Sequence, residues 1–586
     1  MGTKEILEEE NETTEKKRYS ILKIFSKVFA ILLIILSVML VYVYHWTVEM
    51  FGEISFAQVM FHLLVPMEGT DTSLVLSYFK GVWWIVLVVL LVAYMPFIPD
   101  KEWWKSLKSR LLSWYENRRE MKKNKKAKMK KSKMEKSKME SKENVSESDS
   151  DDTESLVSKK EVREESIVDR AVKGMCRFLR RFYTRHFAIS AIIILVCVIV
   201  YDVRAFGIDE WLADRFDSNT IFEDHYIDSA TANITFPDKK KNLIIILAES
   251  LESTFADKES GGVMAENFIP NLTKFAKENT HFSSKNNLIG ATEVPGTTFT
   301  LASMVAQTSG VPFIVPIGDN SYADFTEFMP GVTTMGQILA KEGYTNHLIL
   351  GSSSEFAGID TYFKTHGDYE IFDYSTAVER GYIDEDYHVF WGFEDKKVFD
   401  YAKDELLEVA KQEQPFNMII NTIDLHTPNG YRCQECGYKY YDEYKDGYKD
   451  IILCQDRLIS EFVEWAKMQD FYEDTVIVVT GDHLSMASIV RNAYVNSPDY
   501  ERTTYHCIIN SDLEPVNNTN RIFSTMDMYP TIMAAIGCKI EGERLGIGTN
   551  LYSGEPTLME SMGKEVFIEE IAKNSILYNR DILRAE

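Results

Sequence analysis

Apolar positions are unevenly distributed along this chain of 586 residues. In the first 203 positions they collect into three long runs: 24–44 (IFSKVFAILLIILSVMLVYVY, with its neighbours), 81–98 (GVWWIVLVVLLVAYMPFI) and 187–203 (FAISAIIILVCVIVYDV). A bilayer core of about 30 Å needs roughly 20 helical residues, so the pattern predicts three membrane-spanning helices. The first run is too long in its apolar core for a cleavable leader, and no small-residue cleavage site follows it. Beyond position 240 the pattern changes. Short apolar runs at 242–248, 346–350, 416–422, 475–480 and 505–509 alternate with amphipathic stretches such as 266–277, 398–412 and 451–467. Buried strands alternating with helices predict an α/β domain, a mainly parallel sheet sandwiched by helices.

Charge orients the predicted spans, because Lys and Arg are retained on the cytoplasmic side of short loops. Lys16, Lys17, Arg18 and Lys23 precede the first run, whereas 45–80 on its far side carries Lys80 alone. The stretch 121–142 is dense in lysine, and Arg177, Arg180, Arg181 and Arg185 flank the third run. The expected order is a cytoplasmic N-terminus (1–23), two transmembrane helices with a short outer loop (24–98), a basic cytoplasmic loop (99–186), a third transmembrane helix (187–203), a linker (204–240) and an extracytoplasmic domain (241–586). This makes a multi-pass protein of the cell membrane. In the cytoplasmic loop, WWKSLKSRLLSWY suits an interfacial helix, and the low-complexity 117–165 cannot bury enough apolar surface to order itself. Its lysines, beside two membrane helices, suit the anionic inner leaflet. The formal net charge is −25; with the basic loop inside, the outer domain is more acidic than average, which argues against a nucleic-acid partner.

Of the seven cysteines, Cys433, Cys436, Cys454, Cys507 and Cys538 fall in the outer domain. An odd number leaves at least one unpaired within a monomer. Cys433-x-x-Cys436 with Cys454 could supply one structural bridge, while a zinc knuckle would want a second CxxC or paired histidines.

Ligands of open α/β sheets bind at the carboxyl ends of the strands. Glu249 follows the first expected strand, Asp424-Leu425-His426 follows the third, and Asp482-His483 follows Gly481 at the end of the fourth. Carboxylates and two imidazoles thereby converge on one edge, a set suited to a metal. A further element is VPGTTFTLASMVAQTSGVP at 294–312. Pro295-Gly296 breaks the chain, which places Thr297 or Thr298 where a helix N-cap belongs. Free N–H groups and the positive dipole end there attract phosphate, and a hydroxyl at that point is placed to attack phosphorus.

These residues resemble the lipoteichoic-acid synthase and phosphoglycerol transferase I family, of the sulfatase and alkaline-phosphatase superfamily. The resemblance is carried by ILAESLEST (246–254), GTTFT (296–300), DLHTP (424–428) and GDH (481–483), supported by FAGIDTYFKTHG (356–367), WGFEDKKVF (391–399) and MDMYPTIMAAIG with ERLGIGTNL (526–551). It covers 240–555 and is nearer the phosphoglycerol transferase I branch. The resemblance implies that Glu249, Thr297, Asp482 and His483 hold one divalent metal, Mn²⁺ ahead of Mg²⁺ or Zn²⁺. It makes Thr297 the nucleophile as well and His426 a contact for the substrate's phosphoglycerol. The implied reaction moves glycerol phosphate from phosphatidylglycerol to a cell-surface glycan or teichoic-acid-type acceptor through a phosphothreonine-type intermediate. The alternatives are a phosphoethanolamine transferase of the same superfamily or a catalytically silent glycan- or lipid-binding ectodomain. The sulfatase signature Cys-x-Pro-x-Arg is absent, so formylglycine chemistry is not expected.

Overall fold

The computed structural model describes residues 2–51, scattered positions between 56 and 91, and residues 186–285, 287–314, 328–427, 430–437, 447–487, 490, 497 and 499–585. The expected span 81–98 lies largely outside the described residues, and the interfacial helix and the segment 117–165 lie wholly outside them.

The chain divides into two compact units. The first, residues 1–40 with 81–199, contains most of two apolar helices, Gly2–Phe51 and Phe187–Ala205. Their stretches Phe25–Glu49 and Phe187–Ala205 are long and apolar enough to cross a membrane. Ala30 and Ile34 pack with Phe187 and Ala191 in a small buried cluster, while Leu32, Leu36, Ile193 and Val196 face outward.

The second unit, residues 41–80 with 200–586, is built on a six-stranded sheet. In spatial order its strands are Glu370–Phe372, Thr345–Leu350, Phe416–Asn421, Asn242–Ala248, Thr475–Gly481 and His506–Ile509. All neighbours are parallel except the last pair. Five strands coincide with the expected ones to within a residue or so. The edge strand Glu370–Phe372 was not expected, since three residues are too few to carry a period-two signal.

The central strand shows why the sheet is covered on both sides. Leu243, Ile245 and Leu247 enter one core, which also takes Leu301, Met304 and Val305 of the helix Thr300–Ser309. Ile244, Ile246 and Ala248 enter the other, with Val398, Phe399 and Ala402 of the helix Asp395–Val409 and Ile451, Leu458 and Ile459 of the helix Gly447–Ala466. A strand buried on both faces reads as a continuous apolar run rather than an alternating one.

Residues 204–240, expected as a linker, are folded onto the domain. They form the helices Ile208–Phe216 and Ile221–His225 and a strand, Ile234–Thr235, that pairs with Lys539–Ile540. The Asn219 amide donates to the carbonyls of Glu570 at 2.6 Å and Lys573 at 2.9 Å, and Phe222 is fully buried. The apolar side chains here are too sparse to show a period in sequence, and their partners lie over 300 residues away.

Candidate active site

Parallel register brings the site together. Ala248 pairs with Gly481 and Leu247 with Asn421, so Glu249, Thr422 and Asp482 leave the sheet side by side. The Glu249 N–H donates to Thr422 Oγ1 at 2.8 Å, and the Gln455 amide reaches both the Glu249 carbonyl (3.1 Å) and Thr422 Oγ1 (3.2 Å). Ser250 takes a positive φ of 54°, and its N–H donates to Asp482 Oδ1 at 2.7 Å. The His483 N–H donates to that same oxygen, also at 2.7 Å. Ser250 Oγ donates to Glu249 Oε1 at 2.6 Å.

Glu249, Asp482 and His483 are all buried, and each offers a ligand atom within 4.8 Å of the others. His483 Nε2 stands 3.5 Å from Glu249 Oε1 and 3.5 Å from Asp482 Oδ2. Its Nδ1–H donates to the Leu484 carbonyl at 3.1 Å, so a neutral ring turns the Nε2 lone pair toward the carboxylates, the orientation a metal ligand requires. Burial opposes charge on His483, but Asp482, Glu249 and Glu293 outweigh it and push the imidazole up to about 9. Burial, followed by the Glu249 charge, pushes Asp482 up to about 7. Asp482 Oδ2 is buried without a hydrogen-bond partner. Two carboxylates crowded together, one with an orphaned oxygen, and an imidazole whose Nε2 faces them and would give up its proton to a cation fit a divalent ion with a preference for oxygen donors.

Besides Ser250, the hydroxyl of Thr300 meets this cluster, and it alone of the two stands at a helix start. Its Oγ1 donates to Glu249 Oε2 at 3.3 Å and lies 3.5 Å from His483 Nε2. Thr297, expected as nucleophile and ligand, is placed differently. Its Oγ1 donates to the Val294 carbonyl at 2.9 Å and accepts from the Val294 N–H at 3.1 Å, and the residue is fully buried. Pro295-Gly296 is the cause. With Gly296 at φ 80° and the Thr297 N–H bonded to the Val294 carbonyl at 3.0 Å, residues 294–297 form a type II turn, with Pro and Gly in their favoured places. The helix therefore starts three residues further on, at Thr300, after Phe299, which makes no side-chain cap. Gly296 does not open the backbone to a phosphate either. A Cβ there would meet Pro312 Cβ and Ile314 Cγ1 at 2.8 Å.

His426 stands on the turn after the strand Phe416–Asn421. Its Nδ1–H donates to the Thr427 carbonyl at 2.9 Å, and its ring packs edge-on to Trp391, centroids 4.6 Å apart, and to Phe390 at 6.4 Å. Burial, with a smaller push from His483, lowers it to about 4, so it is a neutral imidazole that offers Nε2 as a hydrogen-bond acceptor. The turn is held from below by Asp395, whose Oδ1 accepts from the N–H groups of Ile423 at 2.6 Å and Asp424 at 3.2 Å.

Three contributors were not singled out from sequence. Thr300 lay inside an apparently continuous helix. Gln455 sits mid-helix with no local signal. Glu293 accepts from the Leu484 N–H at 3.0 Å and acts on His483 by charge. The PGT sequence was the available signal for Thr300, since Pro-Gly at the centre of a type II turn moves the helix start onward.

A mainly parallel sheet gathering two carboxylates, an imidazole and a helix-terminal hydroxyl at its carboxyl edge defines an alkaline-phosphatase-like α/β protein. The chain belongs to the sulfatase family, whose model matches residues 241–538. It is 31% identical over 414 residues to phosphoglycerol transferase I of Escherichia coli, an alignment covering 69% of this chain and 50% of that protein. The chain thus spans about half the length of the curated relatives it matches. Among solved structures it is similar to the lipoteichoic acid synthase LtaP from Listeria monocytogenes, 19% identical over 55% of this chain and 79% of that one, TM-score 0.42. A protein in the alkaline phosphatase superfamily from Vibrio parahaemolyticus is 24% identical over 52% of this chain and 68% of that one, TM-score 0.41.

Proposed function

We propose that the outer domain transfers glycerol phosphate from phosphatidylglycerol to a hydroxyl of a cell-surface glycan or polyglycerophosphate, with Thr300 as nucleophile. The observation that carries this reading is the Thr300 hydroxyl at a helix N-terminus, 3.3 Å from Glu249 Oε2 and 3.5 Å from His483 Nε2. Glu249, Asp482, His483 and the Thr300 oxygen would hold one divalent cation, Mn²⁺ by family resemblance. Bound there, the cation favours the alkoxide of a hydroxyl that is otherwise a weak nucleophile at neutral pH.

Thr300 Oγ1, its proton lost, attacks the phosphorus of the lipid phosphodiester, and the bond from phosphorus to the diacylglycerol oxygen breaks, that oxygen taking up the proton. The first-turn N–H groups and dipole of the Thr300 helix favour the anionic phosphoryl group. In the second half, the acceptor hydroxyl attacks the glycerophosphothreonine and Thr300 Oγ1 leaves. Neutral His426, with Nε2 free, positions the glycerophosphate and accepts the proton of the incoming hydroxyl. The apolar helices anchor this chemistry beside a donor that stays in the bilayer. In the three-span topology the catalytic domain lies on the extracytoplasmic face, with phosphatidylglycerol and the acceptor as its partners.

Incubation of the full chain with Mn²⁺ and labelled phosphatidylglycerol tests the reading. Diacylglycerol release and a glycerophosphate mass adduct on the Thr300 peptide are expected, with phosphatidylethanolamine a poor donor. An adduct fragmented to Thr297 or Thr298 would displace Thr300. Preferential use of phosphatidylethanolamine would replace the donor, and no turnover with either lipid would leave a binding ectodomain.

A further inference from the structure

The loop that follows His426 ends in a cluster of sulfur. Cys433, Cys436 and Cys454 are all buried, and their sulfur atoms lie within 4.8 Å of one another. Cys436 and Cys454 are bridged across 18 residues, while Cys433 keeps its thiol. Burial raises the Cys433 pKa, and the backbone N–H groups of Cys436 and Glu435, bonded to its sulfur, work the other way. A thiol in reach of both sulfurs of a disulfide is the arrangement from which exchange proceeds.

The bridge ties together two parts of the site. Cys454 lies on the helix Gly447–Ala466, next to Gln455, whose amide donates to the Glu249 carbonyl and Thr422 Oγ1. One turn earlier that helix presents Asp450, which pairs with Arg432 of the loop. The Cys436–Cys454 bond therefore fastens the segment after His426 to the helix that supports the Glu249 strand end.

We propose that Cys433, Cys436 and Cys454 form a thiol–disulfide exchange latch that ties the His426 loop to this helix or releases it. The Cys433 thiolate attacks Cys436 Sγ. A Cys433–Cys436 bond forms as the Cys436–Cys454 bond breaks, and Cys454 leaves as a thiolate and takes up the proton that Cys433 lost. No oxidant or reductant is consumed. The new bridge closes within the loop, leaving only non-covalent contacts between loop and helix. The latch is independent of which lipid or acceptor the domain uses, and its test reads disulfides rather than turnover.

The full chain in detergent is equilibrated with reduced and oxidised glutathione at about pH 8.5, where thiolate forms, then acid-quenched, alkylated and mapped by mass spectrometry. Wild type should yield both the Cys436–Cys454 and the Cys433–Cys436 peptides, with Cys454 alkylated in the second population. Cys433→Ser should hold the first bridge alone. Cys454→Ser should form Cys433–Cys436 and raise deuterium uptake across 430–437 severalfold over Cys433→Ser. If Cys454→Ser fails to fold, the wild-type map still decides. A single Cys436–Cys454 bridge with Cys433 wholly alkylated, before and after equilibration, overturns the latch. So does a reduced protein carrying one zinc per chain with all three thiols protected from alkylation, which would make the cluster a metal site.

Discussion

His483 and His426 stand at the ends of different strands on one edge of the same sheet, and burial opposes the charge of both. Around His483 the nearest groups are Asp482, Glu249 and Glu293, and the imidazole rises to about 9. Around His426 they are the rings of Trp391 and Phe390, and the imidazole falls to about 4. Desolvation acting in the same direction thus ends in opposite outcomes, because carboxylates at close range outweigh it and aromatic rings do not. On the proposed reading, one site is a negative socket for a cation. The other is a neutral contact that offers Nε2 as a hydrogen-bond acceptor.

The largest effects should come from the socket. Thr300→Ala and Glu249→Ala should each lower diacylglycerol release on the order of 10⁴-fold or more, as losing a nucleophile or its activating group does. Thr297→Ala should stay within about tenfold of wild type, because its hydroxyl serves the Val294 turn and such a contact is worth about 1 kcal/mol. The reverse ranking in a lipid-release assay would return the nucleophile to Thr297.

Removal of the cation should match the loss of a ligand. Dialysis against a chelator should abolish release, and Mn²⁺ should restore it in wild type but not in His483→Ala or Asp482→Ala, with metal content measured in parallel. A chelated protein that keeps full activity would refute the socket.

His426→Ala should lower transfer by about 10²- to 10³-fold while leaving metal content unchanged, a combination that no socket variant should show. Loss of metal from this variant would merge the two sites into one.

The smallest effect concerns stability. A histidine with a folded pKa near 4 and an unfolded value near 6.5 binds fewer protons folded than unfolded between those limits. Its contribution is therefore fully present above pH 6.5 and is lost as pH falls toward 4, by up to about 3 kcal/mol. His426→Gln should melt less steeply with acid than wild type over that window, followed by circular dichroism in the presence of excess chelator. An unchanged slope would place the acid sensitivity on buried histidines such as His281, His347 and His506, which burial also lowers.

Legibility in the sequence followed the range of the interactions. Strand Asn242–Ala248 was readable because a strand buried on both faces is an unbroken apolar run, and its neighbour Glu249 followed at once. Asp482 and His483 were readable for the same reason at the end of Thr475–Gly481. Thr300 was not, because a helix start is set by where the turn before it closes. The type II geometry of Val294–Thr297 depends on Gly296 packing against Pro312–Ile314, across the far end of the helix.

By itself, then, the sequence determined which segments become strands and which carboxylates and imidazoles stand at their ends, since burial and period are local properties of the chain. Tertiary structure decided that Thr300 rather than Thr297 reaches Glu249, that 204–240 folds onto the domain through Asn219 and Phe222, and that Cys433 lies beside the Cys436–Cys454 bridge. Each of these is a distance between groups set by packing, and local pattern does not encode distance between remote parts of a chain.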